Sequence, residues 1–80
     1  MTKLILYIGD TCRYCQRVTD YLRNNPMDIE IKDVWHDEKA FEEMFSLTKR
    51  SQVPCLRIDD TFMHESLDII EKLKSLRQQP

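Results

Sequence analysis

An apolar run, Leu4-Ile5-Leu6-Tyr7-Ile8, ends at Gly9-Asp10, and two thiols follow almost at once in Cys12-Arg13-Tyr14-Cys15. The run has the length and the branched and aromatic content of a strand covered on both faces. Behind the thiols, Cys15, Val18 and Leu22 recur at spacings of three and four, which marks one apolar face of a helix. Asp10 or Thr11 is the expected N-cap of that helix. Asn24-Asn25-Pro26 should end it, because the residue before a proline avoids helical backbone angles. A close pair of thiols at a strand-to-helix junction therefore sets the frame in which the remaining residues must be placed.

Further along, Ile29-Glu30-Ile31-Lys32-Asp33-Val34 mostly alternates, as a strand with one wet face or an edge position would. Asp37 opens a second helix reaching about Thr48, with Phe41 and Phe45 one turn apart, as are Ala40 and Met44. Ser51-Gln52-Val53-Pro54 breaks the pattern. Leu56 and Ile58 mark a short strand, Asp59-Asp60 a tight turn, and Phe62-Met63 the returning strand. Ser66 is the expected N-cap of a last helix in which Ile69, Leu73 and Leu76 share a face. The tail Gln78-Gln79-Pro80 is expected to fray. The element order is β-α-β-α-β-β-α. The first βαβ unit implies parallel strands, and the last two strands make a hairpin. No repeat, linker or low-complexity segment interrupts the chain, so residues 1–80 read as a single domain.

Composition narrows the function classes. With 41% hydrophobic and 32% charged residues the chain has a globular profile. A net charge of −2, with both signs interspersed, offers no steering field for nucleic acid. The N-terminal apolar run is too short for a signal peptide, and nothing approaches a membrane span. Three cysteines are too few and too unevenly spaced for a secreted disulfide framework. These observations lead to the expectation of a cytoplasmic protein, most simply a monomer, with a redox or metal role for the paired thiols.

Redox chemistry suits the pair's position. The first N–H groups of a helix lack intrahelical partners, and their partial positive charge favours a thiolate over a thiol at Cys12. Arg13 adds a full positive charge next to it. Cys15, one turn deeper and facing the sheet, should stay a thiol until it attacks. Cys12 is thus the expected nucleophile and Cys15 the resolving thiol. A zinc site would need four ligands. No second Cys-x-x-Cys and no His-x₃₋₅-His is present, and Cys55, His36 and His64 would have to converge through the fold. No metal is expected. Cys55, directly after Pro54, reads as a small buried hydrophobe on a strand.

Three segments, Cys12-Arg13-Tyr14-Cys15, Gln52-Val53-Pro54-Cys55-Leu56 and His64-Glu65-Ser66-Leu67-Asp68-Ile69-Ile70, occur in this order at these spacings. In them the chain resembles the glutaredoxins, and more narrowly the small glutaredoxin-like proteins related to the N-terminal domain of glutathione S-transferases. The resemblance implies an α/β thioredoxin fold, a four-stranded mixed sheet flanked by three helices, with glutathione as co-substrate. It implies a cis peptide bond before Pro54, which sets Val53 backbone groups beside Cys12 to pair with glutathione like one more strand. It also implies a clamp for the γ-glutamyl end of glutathione, in which Ser66 and the last helix's N-terminus hold the carboxylate and Glu65 the ammonium. Tyr14 would cover the bound disulfide. Gln52, with Lys49 and Arg50, would face the glycine carboxylate.

The chain departs from that family's common pattern in three places. Arg13 stands where many glutaredoxins have proline. Gly9-Asp10-Thr11 precedes the first cysteine in place of a lysine, and Asp10 would oppose both a thiolate and a glutathione carboxylate. Met63-His64-Glu65-Ser66 replaces a Gly-Gly pair and follows the transferase-like version. The resemblance implies an enzyme, a glutathione-dependent thiol–disulfide oxidoreductase acting on protein disulfides and glutathionylated proteins, with glutathione reductase upstream. Its potential would be roughly −200 to −230 mV. Two other readings stay open: a redoxin served by thioredoxin reductase, and a non-enzymatic glutathione-binding or iron–sulfur carrier module.

Overall fold

The structure, a computed structural model, describes residues 3–78. Seven elements follow in the expected order: β1 (Leu4–Ile8), α1 (Arg13–Asn24), β2 (Glu30–Asp33), α2 (Glu38–Thr48), β3 (Cys55–Ile58), β4 (Thr61–Met63) and α3 (Ser66–Gln78). Fraying at Gln79 and Pro80 concerns residues outside those described. One four-stranded sheet is ordered β2-β1-β3-β4. β1 runs parallel to β2, with Ile5 opposite Glu30 and Ile8 opposite Asp33. It runs antiparallel to β3, with Leu6 opposite Leu56 and Tyr7 opposite Cys55. β3 and β4 form the antiparallel hairpin. This is the mixed sheet and helix arrangement of the thioredoxin fold.

β1 and β3 are the inner strands, which explains why the Leu4–Ile8 run is apolar without alternation. Successive side chains point to opposite faces, and both faces are covered. On one face Ile5 and Tyr7 pack with Val34, Cys55 and the α2 residues Ala40 and Met44. On the other, Leu6 and Leu56 pack with Val18 and Leu22 of α1 and Ile69 and Leu73 of α3. α2 therefore covers one side of the sheet, and α1 with α3 the other. β2 sits at the edge, and its Ile31 stays 46% exposed, in keeping with its broken alternation. Phe45 is also largely exposed but stacks on Phe41, with ring centroids 5.8 Å apart.

Local signals place the turns. Asp37 caps α2, accepting from the Lys39 and Ala40 amides. Lys49 ends that helix in the left-handed region at φ 60°, and its amide donates to the Phe45 carbonyl. Asp59 takes φ 51° in the β3–β4 turn, a conformation that Asp tolerates better than most residues. Its carboxylate accepts from the Lys3 amide, tying the turn to the start of β1.

Two helix starts differ from expectation. Neither Asp10 nor Thr11 caps α1. The Cys12 amide donates to the Gly9 carbonyl, closing a turn over both residues, and Cys12 itself is the N-cap. At α3 the Ile69 amide donates to the Glu65 carbonyl, so Glu65 holds the cap position and Ser66 is the first helical residue. β2 is also shorter than the alternating run suggested, because the Asp33 carboxylate accepts from the Trp35 amide and turns the chain away.

Candidate functional site

The site begins at the end of β1, where three connections meet. Cys12 Sγ accepts a hydrogen bond from the Cys15 amide at 3.3 Å and lies 3.9 Å from the Val53 carbonyl oxygen. The sulfur takes the place that a Ser or Asp oxygen holds in an ordinary N-cap, so it faces unpartnered helix N–H groups. Cys12 is partly exposed, whereas Cys15 is buried beneath it, and its Sγ accepts from the Gly9 amide at 3.3 Å. Burial pushes the Cys15 thiol up to about 12, helped by its hydrogen bond with Cys12, while the Gly9 amide pulls the other way. All three cysteines are unbridged. Cys55 is fully buried on β3, and burial alone raises its thiol to about 11.

The peptide bond between Val53 and Pro54 is cis. Pro54 is buried, while Val53 and the exposed Gln52 form one wall of a groove of about 340 Å³. Tyr14 forms another wall, and Glu65 and Ser66 close the far end at the start of α3. Fold and sequence thus bring Tyr14, Gln52, Val53, Pro54, Glu65 and Ser66 to one depression, with Cys12 against the Val53 carbonyl at its edge. Lys49 and Arg50 do not line it. The Arg50 backbone is tied to Thr48, whose hydroxyl accepts from the Arg50 amide and donates to its carbonyl.

Sequence reasoning missed Arg17, Leu67 and Asp68, which also line the groove. Arg17 is three residues after Tyr14 and so on the same helix face, and its guanidinium carbon lies 5.5 Å from the centre of the Tyr14 ring. Asp68 is in the first turn of α3, one turn from Glu65. That spacing was legible from the expected helix start. His64 is half-buried in the groove wall, and its Nδ1 is buried without a protein hydrogen-bond partner.

Asp10, the departure that would oppose a thiolate, is held elsewhere. Its carboxylate lies 3.7 Å from His36 Nε2, and His36 Nδ1 lies 3.0 Å from Asp33. The Asp33 hydrogen bond holds His36 above its ordinary value, and Asp10 adds to the effect. Partial desolvation works against Asp33, but the bonds from His36 and the Trp35 amide outweigh it and keep this carboxyl low. Ligating atoms of Asp10, Asp33 and His36 lie within 4.8 Å of one another, but these groups already satisfy each other, and neither Cys12 nor Cys15 belongs to the cluster. Next to it the Trp35 ring lies over Gly9, and any side chain at Gly9 would run into the indole.

Comparison with known proteins agrees with this arrangement. Residues 6–80 match the family described as glutathione S-transferase, N-terminal domain. An uncharacterized glutaredoxin-like 8.6 kDa protein in the rubredoxin operon of Clostridium pasteurianum is 39% identical over 54 residues, 68% of this chain and 72% of that protein. The chain is a glutaredoxin-like, thioredoxin-fold member of the family related to the glutathione S-transferase N-terminal domain. Among solved structures, a glutaredoxin from Archaeoglobus fulgidus superposes with a TM-score of 0.73 at 24% identity, covering 99% of this chain and 89% of that one. Human glutathione S-transferase T1-1 superposes at 0.77 with 22% identity, covering 96% of this chain but 33% of the transferase. At these identities the likeness shows the fold, and this glutaredoxin-like chain matches a third of the transferase. Among the described residues no helix is long and apolar enough to cross a membrane.

Proposed function

We propose that this glutaredoxin-like protein is a glutathione-dependent thiol–disulfide oxidoreductase. The observation that carries the reading is the position of Cys12 Sγ. It heads α1 with the Cys15 amide behind it and the Val53 carbonyl 3.9 Å away, on the wall of a groove that ends at Glu65 and Ser66. A glutathionyl sulfur bound at that edge would have its peptide beside Val53 and its γ-glutamyl end at the start of α3. There the first-turn N–H groups favour a carboxylate, and Glu65 suits an ammonium.

In this reading the Cys12 thiolate attacks the glutathionyl sulfur of a mixed disulfide. A bond forms between Cys12 and that sulfur, the original S–S bond breaks, and the substrate leaves as a thiolate that takes a proton from water. A second glutathione thiolate then attacks the glutathionyl sulfur, giving oxidised glutathione and free Cys12. On the dithiol route Cys15 loses its proton and attacks Cys12 instead, glutathione leaves, and two further glutathiones reduce the Cys12–Cys15 disulfide. Because burial holds Cys15 as a thiol, the first step falls to Cys12. Residues 1–80 are read here as one redox domain, a cytoplasmic monomer, acting on glutathionylated or disulfide-containing proteins, with glutathione reductase restoring the thiol.

The test is glutathione-coupled reduction of a small mixed disulfide, followed through glutathione reductase and NADPH. Wild type should turn over, Cys12→Ser should be inactive, and Cys15→Ser should retain activity through the monothiol route. Full activity in Cys12→Ser would overturn the assigned nucleophile. An inactive wild type that is nonetheless reduced by thioredoxin reductase would replace this reading with the thioredoxin-linked one.

A further inference from the structure

Cys15 has to lose its proton before it can resolve a mixed disulfide, and a carboxylate stands against that step. Burial does most to raise its thiol to about 12, the hydrogen bond with Cys12 adds to this, the Gly9 amide opposes it, and the negative charge of Asp33 adds a further share. The sheet brings the two together. Asp33 is the register partner of Ile8, the Val34 amide donates to the Ile8 carbonyl, and the next residue, Gly9, donates its amide to Cys15 Sγ. His36 faces the same carboxylate. Its Nδ1 lies 3.0 Å from Asp33, and its Nε2 lies 3.7 Å from Asp10, inside the turn that the Cys12 amide closes on Gly9. Carboxylates only accept, so a ring between two of them is fully served only as an imidazolium with a proton on each nitrogen. Asp33 first, and then Asp10, hold His36 in that charged form above its ordinary value. The other Asp33 oxygen accepts from the Trp35 amide, so the carboxylate has an anchor that does not depend on the histidine.

We propose that His36 is a positioning residue for the second chemical step: as an imidazolium across Asp33 and Asp10 it offsets the carboxylate charge beside Cys15 and so speeds the attack of Cys15 on a Cys12 mixed disulfide. The inference rests on the dithiol branch of the oxidoreductase reading. In that step the Cys15 thiol gives its proton to water, and its thiolate forms a bond to Cys12 Sγ. The S–S bond between Cys12 and the substrate breaks, and the released substrate thiolate takes up a proton. His36 acts through Asp33 and not on a reacting sulfur. Its side chain is 66% exposed, so the effect is modest and is screened by salt. Once pH passes the raised value of His36 the imidazolium is lost, and the Asp33 charge stands uncompensated.

The test mixes reduced protein with excess hydroxyethyl disulfide and follows it by rapid acid quench and intact mass, which separates the Cys12 mixed disulfide from the internal disulfide. Loss of reduced protein reports the first step, and loss of the mixed disulfide reports the second. At pH 6 and low salt, His36→Gln should slow the second step about threefold and leave the first within about 1.5-fold. The gap should close by pH 8.5, where wild type has lost the imidazolium too, and should shrink in about 1 M salt. In an Asp33→Asn background, His36→Gln should change neither step, because the charge it offsets is gone. A histidine that only supports the loop would give a gap that is constant with pH and survives Asp33→Asn, and that result overturns the inference. Equal slowing of both steps overturns it as well, as does an unchanged second step or a wild type that forms no internal disulfide. Oxidised glutathione in a parallel arm keeps the two readings apart. If wild type reacts with it no faster than with hydroxyethyl disulfide, each relative to free cysteine, the glutathione reading fails, while the His36 inference is still decided by the hydroxyethyl arm.

Discussion

Cys12, Cys15 and Cys55 lie within one small domain and differ chiefly in what surrounds the sulfur. Cys12 is partly exposed at a helix cap, while burial lifts Cys15 to about 12 and Cys55 to about 11. A thiol reacts through its thiolate, so iodoacetamide at pH 7.5 should alkylate Cys12 and leave Cys15 and Cys55 essentially unmodified, as read by peptide mass spectrometry. For the two buried thiols the thiolate fraction grows only as pH climbs toward those raised values, so their labelling should rise with pH and stay slow across the neutral range. Rapid labelling of Cys15 at neutral pH would contradict the burial argument. Gly9 offers a second check at this scale. Its amide bonds Cys15 Sγ and its Cα faces Trp35, the chain's single tryptophan. Gly9→Ala should push the half-exposed indole outward, so tryptophan emission should shift to the red. An unchanged spectrum would mean that the ring does not lie over Gly9. The roles of the two paired cysteines were expected from spacing alone, because one helical turn carries a residue from the cap to the sheet-facing side. The contact between Trp35 and Gly9 was not legible, because it joins two loops through tertiary packing.

Among the elements, the helix ends show where local signals suffice. Asp37 caps α2 as expected, with two amides donating to its carboxylate. Asp37→Ala should lower stability by about 1 kcal/mol in urea denaturation, and a neutral result would assign those amides to water. At α1 the same logic named Asp10 or Thr11 and was overridden. A turn closed by the Cys12 amide on Gly9 uses up both residues, and the Asp10 carboxylate goes to His36 instead. That pairing joins the β1–α1 and β2–α2 connections and has a definite pH signature. His36 is held above its ordinary 6.5, so its contribution to stability is complete below that value and is lost as pH rises through the raised one. Asp33 is held below its ordinary 3.8, so its share is present above that value and is lost as pH falls through the lowered one. The pair should therefore help most between about pH 4 and 6.5, and only slightly, because both groups face water. His36→Gln should differ from wild type in urea midpoint at pH 5.5 and converge with it at pH 8.5. A constant gap would show that the histidine acts by packing instead.

For the whole molecule, the groove and the core are parts of one arrangement. Leu73 and Ile69 of α3 pack with Leu6 and Val18, so the helix whose first turn ends the groove is anchored by the same side chains that bury the sheet. Leu73→Ala should cost about 2–5 kcal/mol, since it empties a fully buried site. If the groove binds glutathione, ligand and folding are linked. Oxidised glutathione at about 100 times its dissociation constant should raise unfolding free energy by about 2.7 kcal/mol in wild type. A melting temperature that does not move with ligand in wild type would rule out binding to the folded state.

The sequence by itself determined the element order, the inner position of the Leu4–Ile8 strand, the placing of the paired thiols at a helix start, and the likeness of three short segments to one family. These are properties of neighbours along the chain, read from periodicity, caps and spacing, and the family match and the sheet topology agree with them. Only the tertiary structure decided which side chains from distant segments face each other: Arg17 and Asp68 in the groove with Glu65, and Asp10 against His36. Those meetings depend on how α1 and α3 settle on one face of the sheet and how two loops cross at the end of β1. The physical reason is that a contact between residues far apart in sequence is set by packing of whole elements, which no local pattern records.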